Sequence, residues 1–595
     1  MTQSKNQTSK LQDSLPHHHE LHPNIIKDSS AGGAGIIAAE LAAEEEGLIS
    51  NAQLKSHSYG AIAKSSSEET TTTEIDDHDG YALPKAQLLT VISSLFMASY
   101  LAALDMTVVT TLLTLIASDL KEVSNISWIA TAYLLSCAAF QPLFGKLSDI
   151  FGRKILLILC SGFFAIGCVI CVTDSLFWLV IGRFVTGIGG SGLTALGTIT
   201  MSDLIPLRDR GFYQGLANVF FGLGSASGGM IGGLIADSLG WKYVFILQVP
   251  LALIVGISLY LNLNLPEGSP GLGAHGVDIK QKLKRVDFLG SFFLVSSLML
   301  ILTAASLGGK EIPYNSKTFI GLTSSSFILL ALFVYAESYI SEEPIIPIHL
   351  LGNRTILASS LANWFYTMGV FTYLFYIPVY YTAVMQFSAT QNGLRLVPNF
   401  FGVSLGSVGA GLYMRKTGKY YNFTVIVGLI SVLGVIRILC ITPQIPLWEQ
   451  FVLLLPSGIG YSSILTVTLL SLIAAVPSKY QACTTSIQYT FRSTGSTLGV
   501  AIASAIFQNV LRSNLYVKIY ELVADKQEAN EIIAKALENA DYAKSAPKLI
   551  KNAIIGSYSA GCKGAFWFSV LAIVLGYTSS LFMREHKLHT SINRD

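Results

Sequence analysis

The sequence predicts an all-α polytopic membrane protein with 14 transmembrane helices, on three observations. Hydrophobic residues make up 51% of the 595-residue chain and charged residues only 13%, against about 25% charged in a water-soluble domain. Apolar runs recur from about residue 87 to residue 583, each long enough to cross a hydrocarbon layer of about 30 Å at about 1.5 Å per residue. Lysine and arginine (39) nearly balance aspartate and glutamate (37), for a net charge of +2, so no overall field points to nucleic acid or to an acidic partner. A soluble enzyme and a nucleic-acid-binding protein are thereby excluded, and the placement of the scarce charges becomes the informative quantity.

In chain order, residues 1–85 form a tail rich in Ser, Thr, Glu, Ala and His, expected to be disordered and cytosolic. It has no basic segment followed by an apolar one, so the first span itself is expected to target the chain. The triplet His17, His18 and His19 lacks a partner cluster, and seven cysteines lying mostly in apolar segments read as packing residues rather than a disulfide framework. Spans at about 87–113, 126–145, 155–173, 176–201, 212–236 and 243–264 build a first six-helix bundle within 86–265. A cytosolic linker and an inserted pair, 288–307 and 318–340, occupy 266–354. Spans at 357–383, 393–413, 422–441, 450–475, 483–510 and 564–583 build a second bundle within 355–583, and 584–595 is a cytosolic tail.

The basic residues of the short loops set the expected orientation. Lys146, Arg153, Lys154, Arg208, Arg210, Lys280, Lys282, Lys284, Arg285, Arg354, Arg415, Lys416, Lys419 and Lys479 fall on the side of the N-terminus, so the positive-inside bias places both termini in the cytosol. The one long loop, 512–563, then lies on the far side, where Ile532, Ile533, Leu537 and Ala540 recur at helical spacing. It reads as an amphipathic helix on the membrane surface or capping an exit, or as a solvated insertion. Asn125 carries the sequon expected on that side, close against the second span.

An internal repeat joins the two bundles. Gly145, Gly152 and Arg153 after the second span recur in register as Gly411, Gly418 and Lys419 after the tenth. Parallel halves related by an axis along the membrane normal are the plan of a transporter that works by rocking its halves.

Few charges remain inside the bilayer. Asp105 lies well within the first span, where a carboxylate costs several kcal/mol unless it is paired, hydrated or protonated. It is a candidate for coupling a proton to a substrate, or a structural partner for Arg183. Arg183 lies within the fourth span and keeps its proton, so it must find a counter-charge or carbonyls in the bundle interior. The loop Gly145, Asp149, Gly152, Arg153 and Lys154 offers a tight turn, an acid for a helix N-terminus and bases for acids or helix C-termini, and so a clasp that gates one side; an ordinary basic turn is the other reading. Gly187, Gly189 and Gly192 spell a dinucleotide fingerprint without the strand it needs, and read as helix packing. Gly224, Gly228, Gly232 and Gly233 in the fifth span read as a close-packed seam or hinge. Asn218, Gln248 and Arg492 are candidates for the pathway. No phosphate loop or metal cluster occurs, so no cofactor is expected.

This constellation resembles the major facilitator superfamily, and within it the fourteen-span drug:proton antiporter branch. The loop 145–154 looks like the signature between helices 2 and 3, Arg183 with Gly187 like the helix 4 signature of proton-coupled members, and Leu104-Asp105-Met-Thr107 like the first-helix motif of the branch. The run 224–233 is similar to the antiporter motif of helix 5, with Gly229 where that pattern has proline. Asp203 to Gly211, Asn218 and Trp241 to Pro250 look most like the fungal vacuolar basic amino-acid transporters. That resemblance implies a major facilitator fold, and proton-coupled movement of lysine, histidine or arginine into the vacuole by alternating access, with Asp105 and Arg183 as coupling residues. Glu44, Leu48 and Ile49 fit an acidic dileucine signal for sorting adaptors, in keeping with a vacuolar address. A multidrug:proton exporter at the plasma membrane would share these motifs, and a nutrient sensor on the same fold would bind without turnover.

Overall fold

The computed structural model describes residues 83–120, 127–265, 269–274, 276–309, 312–387, 389–523, 525–538 and 547–588. The triplet His17–His19, the signal Glu44, Leu48 and Ile49, the sequon at Asn125 and Ala540 lie outside the described residues. The first six long helices are α1 (Lys85–Leu120), α2 (Ser127–Phe151), α3 (Arg153–Ile170), α4 (Leu176–Leu204), α5 (Leu207–Ser238) and α6 (Lys242–Asn262). Next come α7 (Phe288–Leu307) and α8 (Lys317–Tyr339), which pack on each other. The last six are α9 (Arg354–Ala383), α10 (Ala389–Thr417), α11 (Tyr421–Leu439), α12 (Leu455–Ala474), α13 (Gln481–Leu522) and α14 (Lys548–Leu581).

Among the described residues, 13 helices are long and apolar enough to cross a membrane. The exception among the long helices is α9, whose 30 residues extend about 45 Å at the usual rise but are rich in Tyr and Thr. Its neighbours explain its composition. Helices α12, α13 and α14 wrap it, burying Tyr366, Tyr373, Tyr380 and Tyr381 completely, so α9 need not be apolar all round as a lipid-bathed helix must. On α6 and α8 the opposite holds: Leu253, Ile254, Ile257, Phe327, Ile328 and Tyr335 are exposed, as suits side chains that face acyl chains.

The halves repeat one plan. Within the first, α1 packs on α4, α5 and α6, α2 on α4, and α3 on α4 and α6; within the second, α9 packs on α12, α13 and α14, α10 on α12, and α11 on α12 and α14. Every pair recurs eight helices later. The two halves meet along α2 with α13 and along α5 with α10, which are the same pair of positions taken in the two orders, as a twofold pseudo-axis requires.

The inserted α7 leans on both α2 and α13, and Glu343 ties the segment after α8 to the first half. Its carboxylate accepts from Lys146 Nζ at 2.9 Å and from Arg285 Nε and Nη2 at 2.7 and 3.2 Å. Partial burial raises the Glu343 carboxyl, but the hydrogen bonds and charges of Arg285 and Lys146 outweigh it and hold the group below its ordinary value of 4.5. A depressed carboxyl stabilises above its ordinary range and loses that contribution as the pH falls through it. Hydrogen–deuterium exchange at the backbone amides of Ile279–Lys284, corrected for its intrinsic pH dependence, is therefore expected to quicken on acidification below about 4.5, and in Glu343→Gln to be fast already at neutral pH. Exchange that ignores both pH and the substitution would show that the tie does not hold the linker.

One expectation needs correction. The segment 512–563 is not a free surface loop, because α13 continues to Leu522 and α14 begins at Lys548. Among the described residues between them stands the helix Lys526–Glu538. Its apolar face is spent on protein rather than lipid: Ile532 and Ile533 are buried with Leu515, Ile519, Ile554 and Tyr558, and the Tyr558 hydroxyl donates to the Ala536 carbonyl at 2.7 Å. Leu537 points away and is exposed. Amphipathic spacing alone does not say which apolar surface a helix will cover.

Candidate functional site

Asp105 on α1 and Arg183 on α4 form a closed ion pair inside the first half. Arg183 Nη1 donates to Asp105 Oδ1 at 2.8 Å and Oδ2 at 2.7 Å, with the side chains 1% and 0% exposed. The Tyr133 ring of α2 lies 4.4 Å from the guanidinium carbon, and its hydroxyl donates to the Ala102 carbonyl at 3.2 Å. Gln248 of α6 approaches Asp105 as well, although its amide nitrogen bonds the Val244 carbonyl of its own helix. In so dry a setting each charge is tolerated because the other is present. Arg183 Nε remains buried without a partner.

Glycines make this approach possible. At Gly187 a methyl group would meet the Tyr133 carbonyl oxygen at 2.6 Å and the Ser136 hydroxyl still closer, and at Gly189 it would press on the Cys160 carbonyl at 2.6 Å. Helices α2, α3 and α4 therefore touch backbone to backbone beside the pair. On α5, Gly224, Gly228 and Gly232 face Tyr100, Leu104, Thr107 and Val108 of α1, so the run serves as a seam against the helix that carries Asp105. Gly233 has open space around it and takes no part in that packing.

The clasp forms at the ends of the seams between halves. Arg153 Nη1 reaches Asp149 Oδ1 at 2.7 Å, and its Nε reaches Asp203 Oδ2 at 2.9 Å. Arg153 Nη1 also donates to Ser148 Oγ at 2.5 Å. Across the seam, Cys483 Sγ in the first turn of α13 points to Asp149 Oδ2 at 3.8 Å, so the acid faces a helix N-terminus, where negative charge is favoured. Gly152 turns with φ 93° beneath the Leu272 carbonyl, a position only glycine adopts without strain. Lys154 stays out of the clasp: it donates to Asn264 Oδ1 at 2.7 Å and lies 5.2 Å from the Tyr260 ring.

The second repeat does the same at the other seam. Gly418 also turns with positive φ, 68°. Arg415 pairs with Asp209 at 2.8 Å in the first turn of α5, and Arg208 Nε donates to the Arg415 carbonyl at 2.8 Å. Gly145 packs on Ala482 and Ser486 of α13, and Gly411 packs on Gly211 of α5. Contacts continue inward through Asn218 Nδ2 to Ser407 Oγ at 2.7 Å, the Thr198 and Tyr489 hydroxyls at 2.6 Å, and Gly222 against Phe400. The end carrying the basic turns is shut.

Between the halves lies a small polar pocket with room for about one water, lined by Gln214, Asn218, Gln488, Tyr489 and Arg492. It joins Asn218 and Arg492 of the expected pathway, whereas Gln248 belongs beside Asp105. Tyr133 and Glu343 were not singled out from the sequence, Asp203 entered only through the resemblance and Cys483 only as a packing residue, since each looks ordinary until its partner is known. Gly495 and Gly499, which pack on Trp364 and Met368 of α9, are the second-half counterpart of the α5 seam; the repeat spacing carried to α13 would have found them.

Known proteins with similar sequences are transporters. The family model of the Major Facilitator Superfamily matches residues 95–500. The vacuolar membrane amino acid uptake transporter fnx2 of Schizosaccharomyces pombe is 34% identical over 502 residues, covering 84% of this chain and 84% of its own. The multidrug resistance protein fnx1 of the same yeast is 32% identical over 509 residues, with 85% and 94% covered. Vacuolar basic amino acid transporter 2 of Saccharomyces cerevisiae is 33% identical over 462 residues, with 76% and 95% covered. With its paired six-helix halves and twofold seams, the chain belongs to the major facilitator superfamily and is a membrane transporter, not an enzyme.

Proposed function

We propose that the protein is a proton-coupled antiporter that moves lysine, histidine and arginine into the vacuole by alternating access. The observation that carries the reading is the pair of related seams, α2 with α13 and α5 with α10, shut at one end over a polar pocket. The basic residues of the short loops favour a cytosolic position for both termini; the shut end is then the cytosolic one, and the clasp of Gly145, Asp149, Gly152 and Arg153 acts as its gate. Asp105 is the proton carrier. In the shut state it is neutralised by Arg183; a proton arriving from the acidic lumen releases Arg183, and loss of that proton to the cytosol restores the pair as cargo is taken up. The driving force is about 1.4 kcal/mol per pH unit, plus about 2.3 kcal/mol per charge moved through 100 mV. The vacuolar address rests on the two vacuolar relatives and on Glu44, Leu48 and Ile49 as a sorting signal.

A second reading, a cationic-drug exporter, is favoured by the similarity to the multidrug resistance protein. The two are separated by measuring labelled lysine and histidine uptake into acid-loaded vacuolar vesicles beside dye efflux from intact cells. Uptake that collapses with the pH gradient supports the amino-acid reading. Dye efflux without lysine or histidine uptake overturns it.

A further inference from the structure

The pocket between the halves has a charge pattern of its own, separate from the Asp105 pair. Among the described residues no ion pair includes Arg492; its guanidinium instead lies over the rings of Tyr489 and Phe221, 5.8 and 6.0 Å from their centroids. An arginine keeps its charge at any physiological pH, and its planar fork matches a carboxylate. One turn back on α13, Gln488 is 4% exposed. Its Nε2 donates to Thr468 Oγ1 at 3.1 Å, while its Oε1 is buried with no partner. Buried acceptors normally find donors, so an idle one beside an unpaired cation needs an explanation. Gln214 and Asn218 close the pocket from the first half, joined by a 3.4 Å hydrogen bond from Gln214 Nε2 to Asn218 Oδ1.

A fixed cation and an empty acceptor one helical turn apart complement the two ends of an amino-acid backbone, an α-carboxylate and an α-ammonium. They do not suit a cation lacking a carboxylate, which Arg492 repels. We propose that Arg492 binds the α-carboxylate of the cargo and that Gln488 Oε1 accepts from its ammonium, making Arg492 the residue that selects amino acids over carboxylate-free cations. The pocket is nearly closed in this state, so cargo enters it as the seams part. Residues from both halves line it, and bound cargo therefore touches both of the bodies that move. This assignment deepens the amino-acid reading above and rests on it.

The test uses the full chain in liposomes with an acidic interior. Labelled lysine uptake is measured against unlabelled lysine and against 1,5-diaminopentane, which is lysine without its carboxylate. In the wild type, lysine is expected to compete better than the diamine by about tenfold or more, the value of one charged hydrogen-bonded contact. Arg492→Gln is expected to raise the half-saturating lysine concentration by a similar factor and to bring the two competitors within about twofold of each other. Arg492→Lys, which keeps the charge, retains part of the preference and shows that lost selectivity is not lost folding. If wild-type uptake is robust and the diamine competes as well as lysine, the assignment of Arg492 is overturned while the amino-acid reading stands. The same holds if Arg492→Gln keeps the wild-type preference. If the wild type moves no amino acid and expels a cationic dye, the amino-acid reading fails and takes this assignment with it.

Discussion

Gly411→Val is expected to cut transport by about ten- to a hundredfold while leaving the protein inserted and folded, because it blocks one end from shutting. At Gly411 a methyl group would sit 2.6 Å from the backbone nitrogen of Phe212 and closer still to the Gly211 carbonyl, so α5 and α10 must move apart. Overpacking of this kind costs about 1–3 kcal/mol; on the proposed alternation the contact exists only with this end closed, so the cost falls on one state and shifts the balance by about 5–150-fold. Cys483 reports the shift, being 5% exposed at the sister seam. In a background where the other six cysteines are replaced, maleimide labelling of Cys483 should rise at least several-fold in Gly411→Val. Normal transport with unchanged labelling would show that the α5–α10 contact is not part of the gate.

The second large effect belongs to Asp105. Asp105→Asn leaves Arg183 charged and unpaired in a fully buried site, and breaking a buried pair on one side costs about 3–5 kcal/mol. Low yield and loss of proton-driven uptake are both expected. Asp105→Asn with Arg183→Gln removes the stranded charge, and should recover a folded protein in normal amount. It should not recover dependence of uptake on the pH gradient. A double variant that regains gradient-driven uptake would make the pair a structural element and remove Asp105 from the coupling step.

Much of this architecture is legible because the bilayer imposes strong rules on sequence. Spanning length and the cost of buried charge point to the helices and to Asp105 and Arg183 from the sequence alone. The repeat was visible as Gly145 and Gly152 against Gly411 and Gly418, since positive φ at Gly152 and Gly418 demands the same residue in both halves. Other features depend on partners distant in sequence. Helix α9 has the composition of a wrapped helix only because α12, α13 and α14 surround it. The helix Lys526–Glu538 has an apolar face that suits lipid and protein alike, and the long extensions of α13 and α14 decide between them. Tyr133 carries no signal in its own span; its place under Arg183 follows from the close approach that Gly187 permits. Lys154 shares a basic turn with Arg153, yet Asn264 and Tyr260 draw it away from the clasp.

The central claim is that amino-acid entry into the acidic compartment is coupled to proton exit through a carrier whose halves alternate. Its most direct test is simultaneous recording of labelled lysine and interior pH in liposomes that contain the purified full-length protein and an acidic interior. The expected result is lysine accumulation with alkalinisation of the interior in step with it, both lost when a protonophore removes the gradient. Lysine entry with no change in interior pH, at a rate the protonophore leaves untouched, would contradict the account.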